Sequence, residues 1–466
     1  MIPVHTAQQV REAEASFFAA NPDVDLMQRA ADAMADNALD MLGEASSVLV
    51  AVGPGNNGGD GLFAAARLAE RGCIVSLWMV GDSAHEAGLS AALAAGCTEL
   101  DALAATEALA DVDLLIDAVL GIGGRPGLTP AVAVLAAEAE ALAVPVLAVD
   151  LPSGLDADSG HVVGATFVAT RTLTFASRKP CHVSQPAASL CGEVHVADIG
   201  LDLAAPNLMQ AEPADVARCW PLPGPVSDKY SRGVVGLDVG SSRFPGAGVL
   251  CTMGALWSGA GMIRFVGADR TAELVRPAMP SVTCGEGTVQ AWVVGSGWGK
   301  TEANRDRLLA RLDGGLPCVI DADALAFLPE TLPVGCLLTP HAGELARLLG
   351  VARNAVEAEP LVHARSAAER WQATVLLKGA TQYVVDPQGR ARLAVAGPHW
   401  TGQAGSGDVL AGICGTLMAS RLAAPQAGLL GASVQAMAAL RRVGPYPPDI
   451  IARELAEVIG GFDPRW

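Results

Sequence analysis

Aromatic residues make up 4% of this 466-residue chain, and only four of its 31 basic residues are lysines. No run of clustered Lys and Arg interrupts a formal net charge of −18, which excludes a nucleic-acid partner bound through its phosphate backbone. That sign does not exclude a small anionic substrate, because helix N-termini and backbone amides gather phosphates inside an acidic protein. CxxC spacing is absent among the ten cysteines, and most sit in apolar runs, as Cys73, Cys318 and Cys414 do. They read as small core residues in a reducing compartment. The start MIPVHTAQQVREAEASFF has no basic stretch followed by an apolar one, so no signal peptide is expected. The most apolar candidate for a membrane span, residues 128–149, is broken by Glu138, Glu140 and Pro145. The expected location is the cytoplasm.

What is present points to layered α/β architecture. Half of the residues are hydrophobic and 52 are glycine, and the buried strands of parallel sheets are lined by small aliphatics. Short aliphatic runs alternate with Ala-rich helical stretches at 47–52, 74–80, 113–119 and 146–150, which predicts a parallel sheet covered by helices. The alternation resumes with strand candidates at 234–239, 292–294, 318–320, 337–338 and 374–377, and a last helix is expected near Asp408. Between the halves lies a stretch with Pro206, Pro213, Pro221, Pro223 and Pro225. It predicts a linker over 206–226 separating a domain at 1–205 from one at 227–466. No repeat relates the halves, so two different α/β domains are expected.

Residues 53–61 read GPGNNGGDG between a strand and a helical stretch. Glycines there let backbone approach an anion at a helix N-terminus, and Gly53, Gly55 and Gly58 satisfy GxGxxG. A dinucleotide fingerprint needs no carboxamide pair, yet Asn56 and Asn57 stand at the tip with Asp60 behind them. That adds oxygen ligands suited to a cation or a sugar hydroxyl. Alone, the loop also fits a tight strand-to-helix turn. It is joined, however, by DLLIDAVLGIGGRPG, which places Asp117 at a strand end, and by VLAVDLPSGLDADSG, which does the same for Asp150. Ligands of parallel sheets gather beyond such carboxyl ends.

With LMQRA at 26–30, these three ordered motifs make residues 1–205 resemble the YjeF N-terminal family of NAD(P)H-hydrate epimerases. The resemblance implies a Rossmann-like domain and a potassium ion held by Asn57, Asp117 and Ser153. It implies substrate contacts from Asn56, Asn57, Gly58, Gly59 and Asp60, from Gly121, Ile122, Gly123 and Gly124, from Arg125, Pro126 and Gly127, and from Asp150. The substrate is a reduced nicotinamide hydrated across its 5,6 double bond, whose C6 hydroxyl can leave to give a nitrogen-stabilised cation and return on the other face. Asp150 is the candidate catalytic carboxylate, either stabilising that cation or moving the proton.

The second half carries TGQAGSGDVLAGICGTLMA at 401–419, in which Gly405, Ser406 and Gly407 precede Asp408 at a helix start. Their amides can surround a transferring phosphoryl group, and the dipole is expected to keep Asp408 ionised as a base. DAD at 321–323, TPHAGE at 339–344 and KGATQ at 378–382 each follow a strand candidate. Lys378 is one of few lysines in a chain that favours Arg, which singles it out. His341 fits a structural helix cap as well as a catalytic group.

In order, these strings resemble the ribokinase-like fold and, more closely, the YjeF C-terminal ADP- or ATP-dependent NAD(P)H-hydrate dehydratases, over residues 225–460. KYSRG at 229–233 also fits. The resemblance implies nucleotide contacts from Lys378, Gly379, Ala380, Thr381, Gln382 and Gly407, and contacts to the hydrated cofactor from Ala247, Gly297, His341 and Asp408. Asp408 becomes the catalytic base, with ADP or ATP as co-substrate and Mg²⁺ beside it. NADHX and NADPHX become the substrates, and a homo-oligomer is the expected assembly. The family's GPGLG stands here as GSGWG at 295–299, so Trp298 is expected to alter the nicotinamide pocket, and GTGD stands as GSGD. The main rival is a small-molecule kinase of the hydroxymethylpyrimidine or hydroxyethylthiazole type, which shares GxGD, fused to a binding or scaffold domain.

Overall fold

The computed structural model describes residues 1–22, 24–43 and 46–462. It divides into one unit over residues 3–207 and another comprising Met1–Ile2 with residues 208–466.

The first unit is built on a seven-stranded, all-parallel sheet. Its order across the sheet is Thr98–Leu100, Ile74–Met79, Ser47–Val52, Leu114–Ala118, Val146–Val149, Arg171–Phe175 and Glu193–Ala197. From Ser47–Val52 the chain winds outward to one edge, then returns to Leu114–Ala118 and winds to the other. The carboxyl ends of those two neighbours therefore form the crevice in which such sheets bind ligands. The four strands expected here form, with ends shifted by a residue or so. Arg171–Phe175 and Glu193–Ala197 were not expected. Val50, Ile116, Leu147 and Leu173 are buried in one core beneath the helices Leu26–Leu42 and Asn56–Glu70.

The second unit centres on six neighbouring parallel strands: Met262–Phe265, Val234–Asp238, Ala291–Val294, Cys318–Ile320, Cys336–Leu338 and Thr374–Leu377. Thr283–Cys284 extends one side. On the other, Tyr383–Val385 and Ala391–Leu393 run antiparallel before Leu208–Gln210 pairs parallel with Ala391–Leu393. The helix Ser406–Ala419 packs on Pro245–Trp257, and a Cβ at Gly412 would sit 2.0 Å from the Cys251 carbonyl. Only glycine allows that approach.

Two expectations about organisation change. Within the segment 206–226, expected as linker, Leu208–Gln210 is a strand and Pro213–Cys219 a helix. Proline marks a helix start here rather than a break, since Pro213 occupies a first-turn position where its missing N–H costs nothing. The Met1 amino group lies 2.5 Å from Asp215 on that helix. The helix at Asp408 is also not the last, because Ala424–Arg441 and Pro448–Gly460 follow it.

All ten cysteines are unpaired thiols; Cys318 and Cys414 are buried, Cys73 is half-buried and Cys219 exposed. Among the described residues, no helix is long and apolar enough to cross a membrane.

Candidate active sites

In the first unit the glycine-rich loop runs straight into the helix Asn56–Glu70, so Asn56 to Asp60 form its opening turn. The loop 121–127 folds over this turn. Ile122 N donates to Asp150 Oδ2 at 3.1 Å, and Gly127 N donates to the Gly154 carbonyl at 2.8 Å. A Cβ at Gly121 would lie 2.7 Å from Asn57 Oδ1 and 3.3 Å from Asp150 Oδ2, so these three residues share one cradle. Gly123, Gly124, Arg125 and Pro126 are exposed on the same loop.

Asp117 and Ser153 are fully buried beside this cradle. Ser153 Oγ donates to Asp117 Oδ1 at 2.6 Å, and Ser153 N donates to Oδ2 at 2.7 Å. Burial nevertheless pushes the Asp117 carboxyl up to about 6, against those hydrogen bonds, because no cationic side chain offsets it.

Asp150 lies in the left-handed region, with φ 66°. Burial alone would raise its carboxyl, but Lys179 outweighs burial and holds it below the ordinary range. Lys179 Nζ donates to Asp150 Oδ1 at 2.6 Å, and Thr174 Oγ1 donates to the same oxygen at 3.0 Å. Asp60 goes the other way, raised well above the usual carboxylate range by burial and by the Asp150 charge. The crevice thus holds two carboxyls whose proton affinities are pushed in opposite directions, the separation that acid–base chemistry needs. Lys179 and Thr174 were not singled out from sequence.

In the second unit the carboxyl ends of four adjacent strands supply the chemistry. Lys378, after Thr374–Leu377, donates to Asp321 Oδ1 at 2.7 Å. Thr339 Oγ1 donates to the same oxygen at 2.7 Å, and Ser296 Oγ donates to Oδ2 at 2.8 Å. Both oxygens of Asp321 are therefore held, Oδ1 by two donors and Oδ2 by one. Burial would lower the Lys378 ammonium, but Asp321 and Glu344 reverse this and raise it. Gly407, in the first turn of Ser406–Ala419, comes so close that a Cβ would be 3.1 Å from Lys378 Nζ.

Asp408 follows in that turn. Its carboxyl is pushed up to about 7 by burial and by Asp321, opposed by Lys378 and a Ser296 hydrogen bond. The expectation that the helix dipole keeps it firmly ionised is thus corrected. A base titrating near neutrality suits proton abstraction better than a strong acid's conjugate base does.

His341 caps the helix Ala342–Leu349, its Nδ1 accepting from Gly343 N at 3.0 Å and Glu344 N at 3.3 Å. Burial and nearby cations lower its pKa against the opposing Glu344 charge, and with Nδ1 accepting, the neutral ring carries its proton on Nε2, which lies 3.5 Å from Glu344 Oε1. Gly297, at φ 67°, brings the 295–299 loop against Ala247; a Cβ there would lie 2.6 Å from that of Ala247. Trp298 turns inward instead of lining a pocket: it is buried, and its Nε1 donates to the Asp238 carbonyl at 2.7 Å. After Lys378, Gly379 and Ala380 are exposed while Thr381 and Gln382 are half-buried, and the Gln382 Oε1 is buried without a hydrogen-bond partner.

Residues 23–181 match the family model described as YjeF-related protein N-terminus, and residues 235–459 match that of NAD(P)H-hydrate dehydratase. The Mycobacterium tuberculosis bifunctional NAD(P)H-hydrate repair enzyme Nnr is 40% identical over 443 residues, covering 91% of this chain and 90% of its own. The chain belongs to the bifunctional NAD(P)H-hydrate repair enzymes. Its Mycobacterium leprae counterpart is 39% identical, covering 96% of this chain and 95% of its own. In fold, a Bacillus subtilis ADP/ATP-dependent NAD(P)H-hydrate dehydratase co-crystallised with ATP/Mg²⁺ superposes with a TM-score of 0.52 at 24% identity, covering 55% of this chain and 99% of that one. An Enterococcus faecalis ribokinase-like protein gives 0.50 at 18% identity, over 56% and 98%.

Proposed function

We propose that residues 3–207 epimerise hydrated NADH and NADPH, and that residues 208–466 dehydrate one epimer at the expense of ADP or ATP. The observation that carries this reading is the pairing of two strand-end sites on one chain: a cradle in which Asp150 is held below and Asp60 raised above the ordinary carboxylate range, and a phosphate-type loop with a base titrating near 7.

In the first, loss of the C6 hydroxyl is assisted by a protonated carboxyl, and the positive charge that develops on the ring is stabilised by the Asp150 anion. Return of water to the other face completes the inversion. Asn57, Asp117 and Ser153 suit a potassium ion, since all are hard oxygen donors and the Asp117 carboxyl is buried without a cationic partner. The ion would supply positive charge that keeps Asp117 ionised and the cradle in shape.

In the second, Asp408 removes the C6 hydroxyl proton while that oxygen takes the terminal phosphoryl group. The ring nitrogen then expels phosphate, and loss of a C5 proton restores the dihydronicotinamide. Gly407 and Lys378 face the phosphoryl group, while His341, Ala247 and Gly297 flank the hydrated ring, and positioning and charge do most of the work. Among the described residues no three His, Cys, Asp or Glu side chains form a metal-holding group. Magnesium would therefore be held chiefly by nucleotide phosphates and water, as it prefers.

Ten unpaired cysteines suit a cytoplasmic setting. A homo-oligomer is the assembly we expect, which light scattering tests. Incubating the protein with mixed hydrate epimers and each nucleotide in turn tests the function itself: NADH absorbance returns with ADP or ATP and stays flat without them.

A further inference from the structure

The first unit contains a lysine that the reading above does not use. Lys179 is 1% exposed, in a chain whose general positive charge is carried by arginine. A buried ammonium needs a carboxylate and further acceptors. Lys179 Nζ has all of these: Asp150 Oδ1 at 2.6 Å, Thr174 Oγ1 at 2.7 Å and the Phe175 carbonyl at 3.1 Å. Its backbone is fixed in turn, Lys179 N donating to His182 Nδ1 at 3.0 Å and His182 N to the Lys179 carbonyl at 3.0 Å. Asp150 has both side-chain oxygens assigned as a result. Oδ1 is anchored in the protein by Lys179 and Thr174, and Oδ2 is turned to the Gly121–Ile122 backbone at the cradle.

We propose that Lys179 is a positioning residue of the epimerase site, which with Thr174 holds Asp150 as an anion whose Oδ2 alone faces the substrate. The inference rests on the epimerase reading of this unit. Three features need this explanation together. Asp150 adopts a left-handed backbone that a non-glycine residue keeps only when its surroundings impose it. The titratable groups around it are Lys179 and His182 on one turn, Glu14 from the helix Ala7–Ala20 and Asp60 from the helix Asn56–Glu70. Two of these four are carboxyls, so without Lys179 three acidic groups would compete for ionisation in one buried space. The lysine decides that Asp150 is the one that wins, while burial and then the Asp150 charge raise the affinity of Asp60 and Glu14 for their protons.

The test uses the full-length chain. Wild type must first interconvert the hydrate epimers without nucleotide; if it does not, the epimerase reading itself fails. Lys179→Met, Asp150→Asn and the double variant are then compared for kcat and pH profile, with amide hydrogen exchange over residues 3–207 as the folding control. Lys179→Met should lose about 10²-fold in kcat with its acidic limb moved up by roughly one pH unit or more. The double variant should be no worse than Asp150→Asn alone, because a residue acting only through Asp150 has nothing left to orient. If Lys179→Met does not fold, Thr174→Val, which keeps the shape and removes one hydrogen bond to Oδ1, should shift the limb in the same direction. A folded Lys179→Met or Thr174→Val with the wild-type profile, or losses that multiply in the double variant, overturns the proposal.

Discussion

Lys378 Nζ stands 2.7 Å from Asp321 Oδ1 at the ends of two strands in the second unit, as Lys179 stands 2.6 Å from Asp150 in the first. Lysine, with a compact ammonium on a flexible stem, fits a buried niche where the wide arginine fork does not. Lys378→Met should leave Asp321 as an uncompensated buried charge. Loss of dehydration by at least 10²-fold and a stability loss of about 3 kcal/mol are expected, with epimerisation unchanged. Urea unfolding and separate assays of the two activities check this.

Asp408 sets a pH dependence whose sign can be worked out. Its folded pKa of about 7 lies above the value of an unfolded Asp, so the folded chain binds the extra proton between the two. Its contribution to stability is full below the unfolded value and falls as pH rises towards 7. Asp408→Asn removes that penalty. It should raise the melting temperature at pH 8 more than at pH 5, with a gain on the order of 1–3 kcal/mol at pH 8, while dehydration falls by about 10²-fold. Wild-type dehydration should climb with a limb near pH 7 that the variant lacks. Calorimetry at the two pH values would contradict this by showing equal effects.

The sites were legible where chemistry sits in glycine-rich strings, and illegible where it depends on a partner across the sheet. Asn57, Asp117 and Asp150 lie in three strings that one cradle brings together, and Lys378 meets Gly407 and Asp408 from a second string in the other unit. Lys179 was missed because the stretch after the strand RTLTF offers no loop motif and its partner lies 29 residues away. The scarcity of lysine that drew attention to Lys378 was a signal that applied equally to Lys179. The inward direction of Trp298 was illegible because sequence gives bulk without direction. The final helices escaped because Ala424–Arg441 is buried nearly all round and shows no polar stripe to mark its period.

Trp298 is accordingly a stability residue. Trp298→Phe removes the hydrogen bond to Asp238 and weakens the stacking of Arg307 on the ring, whose guanidinium carbon lies 4.6 Å from the centroid. A cost of about 1–3 kcal/mol is expected, with KM for the hydrated cofactor unchanged. A selective change in KM at wild-type stability would place the ring in the pocket instead.

Gly121→Ala is a clean probe of the first site, since its added methyl meets Asn57 Oδ1 at 2.7 Å and Asp150 Oδ2 at 3.3 Å. Epimerisation should fall at least tenfold while dehydration is untouched. Full epimerase activity in this variant would move the reaction out of the cradle.

Potassium should act through Asp117. Because burial raises this carboxyl to about 6, protons and the cation compete for it, and the potassium concentration needed for half-maximal epimerisation should rise as pH falls below 6. Equal epimerisation in potassium and in a bulky organic cation would dismiss the ion.

The central claim is that one chain carries both activities, and total conversion measures it most directly. A mixture of hydrate epimers is incubated with ADP or ATP, potassium and magnesium, and dihydronicotinamide absorbance and free phosphate are followed together. Wild type should restore all of the hydrate with one phosphate released per molecule, Asp117→Ala should stop once the usable epimer is consumed, and Asp408→Asn should restore almost none. A wild-type reaction that stalls at one epimer, or that accumulates a lasting phosphorylated compound without regained absorbance, would contradict the account.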